Sequence, residues 1–315
     1  MDRSGAVAAL QRAVAAFEID AARWCVALSG GPDSLALTAA AAKVRPTTAL
    51  IVDHGLQAGS RTVAETARQQ ALRLGCVAAH VLAVDVGSAG GPEAAARTAR
   101  YAALDAARDG APVLLGHTLD DQAETVLLGL GRGSGPRSIA GMRPHDPPWH
   151  RPLLGLRREV THAACAELGL AAWQDPHNAD RRFTRTRLRL EVMPLLEDVL
   201  GGGVAEALSR TAGALREDVD ALDGMARDVL DGLAGETLDT EALAELPDAL
   251  RRRVIRGWLL AGGASGLTDV QIRGVDRLVT DWRGQGGVAV PSALRRQRLI
   301  AARRDGVLAL HIEPV

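Results

Sequence analysis

Apolar positions in the N-terminal two thirds of the chain fall into short runs separated by helix-length stretches. Trp24 to Leu28 (WCVAL) reads as a buried strand, followed by a Gly-rich turn and an Ala/Leu-rich helix from about Asp33 to Lys43. Thr48 to Val52 (TALIV) predicts a second strand, and Val77 to Val84 a third after a helical stretch around Thr62 to Leu74. Another helix, about Pro92 to Arg108, precedes a strand over Pro112 to Leu115. Short apolar strands alternating with helices predict an α/β fold. Its sheet is parallel, doubly wound and Rossmann-like, because right-handed crossovers place helices on both faces. Ligands of such sheets bind beyond the carboxyl ends of the strands, so candidate residues should directly follow them.

The pattern then changes. A helix near Glu159 to Leu168 and an Arg-rich segment lead to Gly201-Gly202-Gly203, which reads as a linker. Residues from about 204 to 281 are helix-periodic, and Val288 to Leu310 alternates like short strands around turns. The expected division is a catalytic domain over 1–200 and a smaller, mainly helical domain with a terminal β-hairpin over 204–315. The N-terminus (MDRSGAVAALQRAVAAFEID) has the spaced apolar positions of an amphipathic helix rather than the layout of a secretion signal. No apolar run reaches the roughly 18–20 residues a membrane-spanning helix needs, so no membrane partner is expected.

Composition adds three constraints. Cys25, Cys76 and Cys165 are odd in number and form no C-x-x-C pair. That argues against a disulfide framework or thiolate metal site and places the protein in a reducing cytoplasm. The formal net charge is -1, yet Leu250 to Val315 carries twelve Arg against four Asp and one Glu, a local excess that could face phosphates. Lys43 is the sole lysine. A Walker A loop, which needs Gly-Lys-Ser/Thr, is therefore excluded, and no G-x-G-x-x-G follows the first strand.

What does follow it is Ser29-Gly30-Gly31-Pro32-Asp33-Ser34, opening a helix. Glycines let backbone approach an anion, Pro32 suits a first helical turn, and free N–H groups with the helix dipole favour negative charge. A plain Gly-Pro turn capping a helix would use the same residues. Asp53 and His54 end the second strand, where they could border an adenosine or simply close a turn.

Directly after the strand Pro112 to Leu115 comes Gly116-His117-Thr118-Leu119-Asp120-Asp121-Gln122-Ala123-Glu124. In a helix, His117, Asp120, Asp121 and Glu124 share one face. Carboxylates so spaced can hold Mg2+ or accept an ammonium group, while a solvated helix start remains the plainer explanation. Arg97 and Tyr101 are one turn apart on the preceding helix after Glu93, and Arg97 could neutralise phosphate charge or belong to an exposed salt-bridged face. Arg132 lies in the loop Leu130-Gly131-Arg132-Gly133-Ser134-Gly135, and Arg151 begins R-P-L-L. The segment from Asp175 to Arg189 has five Arg in nine positions (181, 182, 185, 187, 189) beside Phe183, which suits phosphate binding and base stacking, or a solvated helix face.

The motif S-G-G-x-D-S resembles the PP-loop of N-type ATP pyrophosphatases, which hold the pyrophosphate end of ATP and transfer AMP to a substrate oxygen. Taken in order, SGGPDS, VDHGL, E-x-x-A-R-x-x-R-Y, GH-x-x-DDQAET, LGRGSG, RPLL and D-P-x-N with its Arg-rich continuation resemble the tRNA(Ile)-lysidine synthetase family over residues 20–195. The resemblance implies an adenine nucleotide alpha hydrolase-like fold, ATP as substrate and Mg2+. It implies an ATP-dependent, AMP-forming carbon–nitrogen ligase that adenylates the C2 oxygen of the wobble cytidine in the CAU anticodon of tRNA(Ile). L-lysine then displaces AMP to give lysidine.

Carried over position by position, Ser29, Gly30, Gly31, Pro32, Asp33, Ser34, Asp53 and His54 bind ATP. Asp121, Glu124, Arg97 and His117 are catalytic, Asp121 and Glu124 also hold lysine, and Asp120 and Asp121 hold Mg2+. Arg132, Arg151, Arg182, Phe183, Arg185, Arg187 and Arg189 face tRNA, and a second copy of the chain is a candidate partner. The sequence departs from the family pattern at Thr186, where Asn is usual, and at His177, where Ser is common. Two other readings use the same loop. A 2-thiocytidine-type tRNA enzyme would need paired cysteines, and a nucleotide sensor would not need the acidic face at 117–124.

Overall fold

The computed structural model describes all residues except 1–4, 56–58, 88–90, 134, 234, 295 and 315, and only the backbone of Pro92, Glu93 and His177. Leu56 and Ser134, and the side chains of Glu93 and His177, thus lie outside the described residues. The chain forms two compact units: residues 1–132 with 141–212, and residues 133–140 with 213–315.

In the first unit α1 (Ala6–Ala15) precedes β1 (Trp24–Ala27), α2 (Pro32–Val44), β2 (Thr47–Asp53), α3 (Ser60–Arg73), β3 (Ala78–Ala83), α4 (Pro92–Ala107), β4 (Val113–Leu114) and α5 (Leu119–Gly131). The single turn α6 (Pro136–Ile139) belongs to the second unit. Then come β5 (His145–Asp146), β6 (Trp149–His150) and α7 (Arg158–Glu167). After them α8 (Thr184–Arg187) continues through a π-helical turn, Leu188–Val192, into α9 (Met193–Val199). The sheet order is β3-β2-β1-β4-β6-β5, parallel throughout except for β5 against β6. The doubly wound parallel sheet is therefore as the alternation predicts. The edge pair β5/β6 is an addition: two-residue strands on either side of Pro147-Pro148 are too short to show a period of two.

Side-chain alternation explains why β1 is apolar at every position. Trp24, Val26 and Leu28 enter a core shared with α1, α2, α3 and α7, whereas Cys25 and Ala27 enter a second core with Leu50, Leu104, Val113 and Leu115. Helix α2 is covered by the sheet, α1 and α7, and every residue from Ser34 to Ala41 is buried. Its first turn is thus fixed just beyond β1, where the Gly-rich loop lies.

Gly201, Gly202 and Gly203 have φ of 81, 90 and 74°, a left-handed run that other residues rarely adopt. Immediately after it α10 (Val204–Gly232) begins, its residues through Ala212 counted with the first unit and the rest with the second. The second unit continues with β7 (Leu238–Asp239), α11 (Thr240–Ala244), α12 (Asp248–Ala261), α13 (Asp269–Thr280), β8 (Val288–Val290), β9 (Gln297–Arg304) and β10 (Val307–Pro314). The hairpin β9/β10 is widened by β8 and β7 into a four-stranded antiparallel sheet. Val254, Trp258, Leu259, Val275 and Leu308 fill its core, and Trp258 Nε1 donates to the Glu236 carbonyl at 3.0 Å. Part of the C-terminal arginine excess is used internally. Arg251 is buried and bonds Asp276 at 2.6 Å and Asp248 at 2.7 Å, and Arg303 lies over Trp282.

Leu50 is fully buried between β1 and α4, so Leu50→Ala should leave a cavity costing about 2–5 kcal/mol. Urea unfolding should show a lower midpoint with an unchanged slope; an unaltered midpoint would contradict the described core.

Candidate active site

The Gly-rich loop is held by its own hydroxyls. Ser34 Oγ accepts from the Ser29 backbone N–H at 3.2 Å, donates to the Gly31 carbonyl at 3.0 Å and lies 3.1 Å from Ser29 Oγ. Gly30 has φ 84°, and its carbonyl accepts from the Trp173 N–H at 2.9 Å, so the chain after α7 crosses the loop. The turn after β4 abuts it from the other side: a Cβ on Gly116 would stand 3.1 Å from the Asp33 carbonyl and 3.2 Å from Ser34 Cα.

A cleft of about 270 Å³ opens at this end of the sheet, lined by Ser29, residues 50–55, Val63 and Ala64 of α3, Arg100 and Leu104 of α4, Trp173 and Asp175. Apolar walls with a few polar groups at one end suit a nucleoside. Asp53 and His54 both reach it. Asp53 Oδ1 accepts the Gly55 N–H at 3.0 Å, and His54 is pushed below its usual value by burial and the Arg100 charge, against Asp53. Arg97 is not brought to this cleft. It is exposed, its guanidinium 4.8 Å from the Tyr101 ring centroid, and it lines a separate, more open depression with Pro148 and Trp149.

The acidic constellation is arranged differently from the expected single helical face. Helix α5 starts at Leu119, so His117 precedes it. Thr118 is the N-cap and Asp121 closes a capping box: the Thr118 N–H and Oγ1 donate to Asp121 Oδ2 at 2.8 and 2.9 Å. That geometry starts the helix after His117 and corrects its placement.

The carboxylates are also not free. Arg158, on the first turn of α7, donates to Asp121 Oδ1 at 2.5 Å and Glu124 Oε1 at 3.3 Å and lies 3.6 Å from Asp33 Oδ2. Arg189 grips Glu124, nine-tenths and more buried, through Nε at 2.9 Å and Nη2 at 3.2 Å. Asp120 accepts the Arg158 backbone N–H at 2.7 Å and pairs with Arg157 at 3.3 Å. Asp33 also accepts from Thr161 Oγ1. Burial would push the Asp121 carboxyl up, but Arg158 and the Thr118 N–H outweigh it and hold it below the usual range. Asp33, by contrast, is raised by burial in spite of Thr161 and Arg158. Arg157, Arg158 and Arg100 stand at the site without having been singled out by the sequence reading. The only trace of the first two was chemical: four acidic or histidine side chains near one strand end require counter-charges.

The Arg-rich segment divides in the same way. Arg182 pairs with Asp180 at 2.7 Å and Arg187 with Glu191 at 3.0 Å, both at the surface beside the exposed Phe183. Arg185 is half-buried, Thr186 is buried, and Arg189 points to Glu124. Arg132 is exposed at the end of α5, whereas Arg151 is buried, donating to the Arg143 carbonyl at 2.8 Å and facing Asp146 at 3.5 Å. Among the described residues no group of three or more His, Cys, Asp or Glu is disposed to hold a metal ion.

Comparison with known proteins places this geometry. The PP-loop domain family matches residues 6–196, and the TilS substrate binding domain family matches residues 238–312. The tRNA(Ile)-lysidine synthase of Mycobacterium tuberculosis is 74% identical over 324 residues, covering 100% of both chains. The chain belongs to the tRNA(Ile)-lysidine synthase family. Further members similar to it are the synthases of Mycobacterium leprae, 70% identical over 325 residues and 100% of both chains, and of Rhodococcus erythropolis, 60% identical over 98% of this chain and 96% of that one. Among solved structures, the U34-tRNA thiolase NcsA from Methanococcus maripaludis matches with a TM-score of 0.54 at 17% identity, over 67% of this chain and 79% of that chain, which shows a shared fold. In this family member, then, the Gly-rich loop belongs to a PP-loop domain, and the cleft lies beside it.

The histidine that precedes α5 gives the site a pH signature. His117 is pushed down to about 4, first by burial and then by Arg100, Arg151 and Arg97, against the attraction of Asp121. Between its ordinary 6.5 and about 4 the unfolded chain therefore binds more protons than the folded one. The stability it contributes is whole above pH 6.5 and is lost as pH falls towards about 4. His117→Gln should flatten the fall in unfolding free energy across that window, measured by urea titration at several pH values. An identical slope in both proteins would contradict a buried neutral imidazole.

Proposed function

We propose that the protein makes lysidine: ATP adenylates the C2 oxygen of the wobble cytidine in the CAU anticodon of tRNA(Ile), and L-lysine then displaces AMP. It is an ATP-using ligase that modifies tRNA. The observation that carries the finer reading is the convergence on Arg158 of Asp33, from the PP-loop, with Asp121 and Glu124, from α5. The PP-loop and the carboxylates of α5 thus meet at the ends of β1 and β4, with Arg158 as the cation between them.

In the first step the nucleobase oxygen bonds to the α-phosphorus, and the bond to the bridging oxygen breaks, leaving pyrophosphate at the PP-loop. In the second the lysine amine bonds to C2, and the C2–O bond breaks with AMP leaving. For this step the lysine ammonium takes the place that the Arg158 and Arg189 guanidiniums now fill at Asp121 and Glu124. These carboxylates hold it by charge and take its proton before the neutral amine attacks C2. Arg182, Phe183, Arg185 and Arg187 supply guanidinium and ring surfaces for the anticodon arm. The reaction belongs in the cytoplasm, where its substrates are.

Mg2+ enters this account with the triphosphate it accompanies. All four carboxylate oxygens of Asp120 and Asp121 are engaged by Arg157, Arg158 and Thr118, so that pair as arranged does not fit a Mg2+ ligand set.

Sulfur transfer is disfavoured by the cysteines themselves. All three are buried in the core, and burial pushes Cys76 and Cys165 up to about 11, away from the reactive thiolate.

The test is incubation with ATP, Mg2+, radiolabelled lysine and a CAU-anticodon tRNA(Ile) transcript, counting acid-precipitable label against a wobble-U control. Label on the first RNA alone is expected, and Glu124→Gln should lose roughly a hundredfold or more in transfer rate, the scale of a positioned acid–base group. Pyrophosphate release with another RNA but no lysine label would keep the ATP chemistry and discard the substrate.

A further inference from the structure

Arg100 stands apart from the other arginines around the site. Arg158, Arg157 and Arg189 are neutralised by carboxylates, Arg151 faces Asp146, Arg108 bonds Asp105 at 2.7 Å, and Arg97 rests on Tyr101. Arg100 lines the nucleotide cleft half-buried, and among the described residues it forms no hydrogen bond or ion pair, although Asp53 and Asp175 are on the same lining. A guanidinium taken partly out of water without a counter-ion is costly, and the cost is met when an anion arrives. Its field is felt across the cleft. It helps hold His54 at the end of β2 and, together with Arg151 and Arg97, His117 before α5 in their neutral forms, and it shares the cleft lining with Asp53, His54 and Leu104.

From this position we propose that Arg100, rather than Arg97, is the phosphate anchor of the cleft. It takes the α-phosphate of ATP and then the AMP phosphate carried on the nucleobase. The inference rests on reading the cleft as the nucleotide site. The PP-loop, with Ser29 on the lining, lies at the pyrophosphate end, and residues 50–54 form the nucleoside wall. The phosphate between those two ends is the α-phosphate, and a guanidinium can meet two of its non-bridging oxygens in parallel. As the nucleobase oxygen bonds to phosphorus and pyrophosphate departs with the electrons of the broken bond, charge on those oxygens stays opposite Arg100. Arg97 lies over the Tyr101 ring and lines the separate depression with Pro148 and Trp149.

The test compares AMP with adenosine by calorimetry on the full chain, which needs neither RNA nor lysine. The parent should bind AMP roughly tenfold to a hundredfold more tightly than adenosine, the range of a hydrogen-bonded charged pair. Arg100→Gln should bring the two ligands within about twofold of each other while leaving adenosine binding unchanged. Arg100→Lys should recover part of the preference, and Arg97→Gln should keep all of it. A preference retained in Arg100→Gln, a preference lost in Arg97→Gln, or equal loss of both ligands in the Arg100 variants would each overturn the proposal. If neither ligand bound the parent, the cleft reading and this proposal would fall together. Intact AMP binding without lysine transfer would count against the proposed substrate alone.

Discussion

One guanidinium, that of Arg158, touches carboxylates from two separate helices: Asp33 on the first turn of α2, and Asp121 and Glu124 on α5. Those helices begin beyond neighbouring strands, β1 and β4, so the parallel sheet necessarily brings their acidic first turns together. Without a cation between them, like charges in a half-buried setting would repel or take up protons. Arg158 resolves this from the start of a third helix. The same residue's backbone N–H is accepted by Asp120, so α5 also closes the N-terminus of α7. Burial alone would lower the affinity of Arg158 for its proton, but Asp121, Glu124, Asp33 and Asp120 together raise it.

The site's chemistry depends on that arrangement. The PP-loop is fixed from beneath by the buried α2, from one side by Gly116 and from above by Trp173. Negative charge is concentrated and compensated at the α5 end, while Arg100 on the cleft lining has no counter-ion among the described residues.

How much of this the chain disclosed depended on the range of each interaction. β1, α2 and the Gly-rich loop were legible because strand burial, a Pro at the first helical turn and a glycine-rich turn are local signals. The strand–helix alternation gave the sheet for the same reason. His117 was misplaced onto α5 because residue spacing was weighed without the Thr118-x-x-Asp121 capping box, which was itself local and readable. Arg157 and Arg158 went unnoticed since their partners lie more than thirty residues away in the chain. Which arginine of α4 meets the cleft was not decidable from an Ala-rich helix, whose rotation is set by Leu104 packing under β2. The C-terminal arginine count overstated free charge, because Arg251 is spent on Asp248 and Asp276.

The most direct measurement is a double-mutant cycle of unfolding free energy with Arg158→Met and Glu124→Gln. If Arg158 is the common counter-ion, breaking the buried pair from one side should cost about 3–5 kcal/mol, and the double variant should cost at least about 1 kcal/mol less than the sum of the singles. Effects that add within about 0.5 kcal/mol would mean that the two residues act independently, and that the acidic site is organised by something other than Arg158.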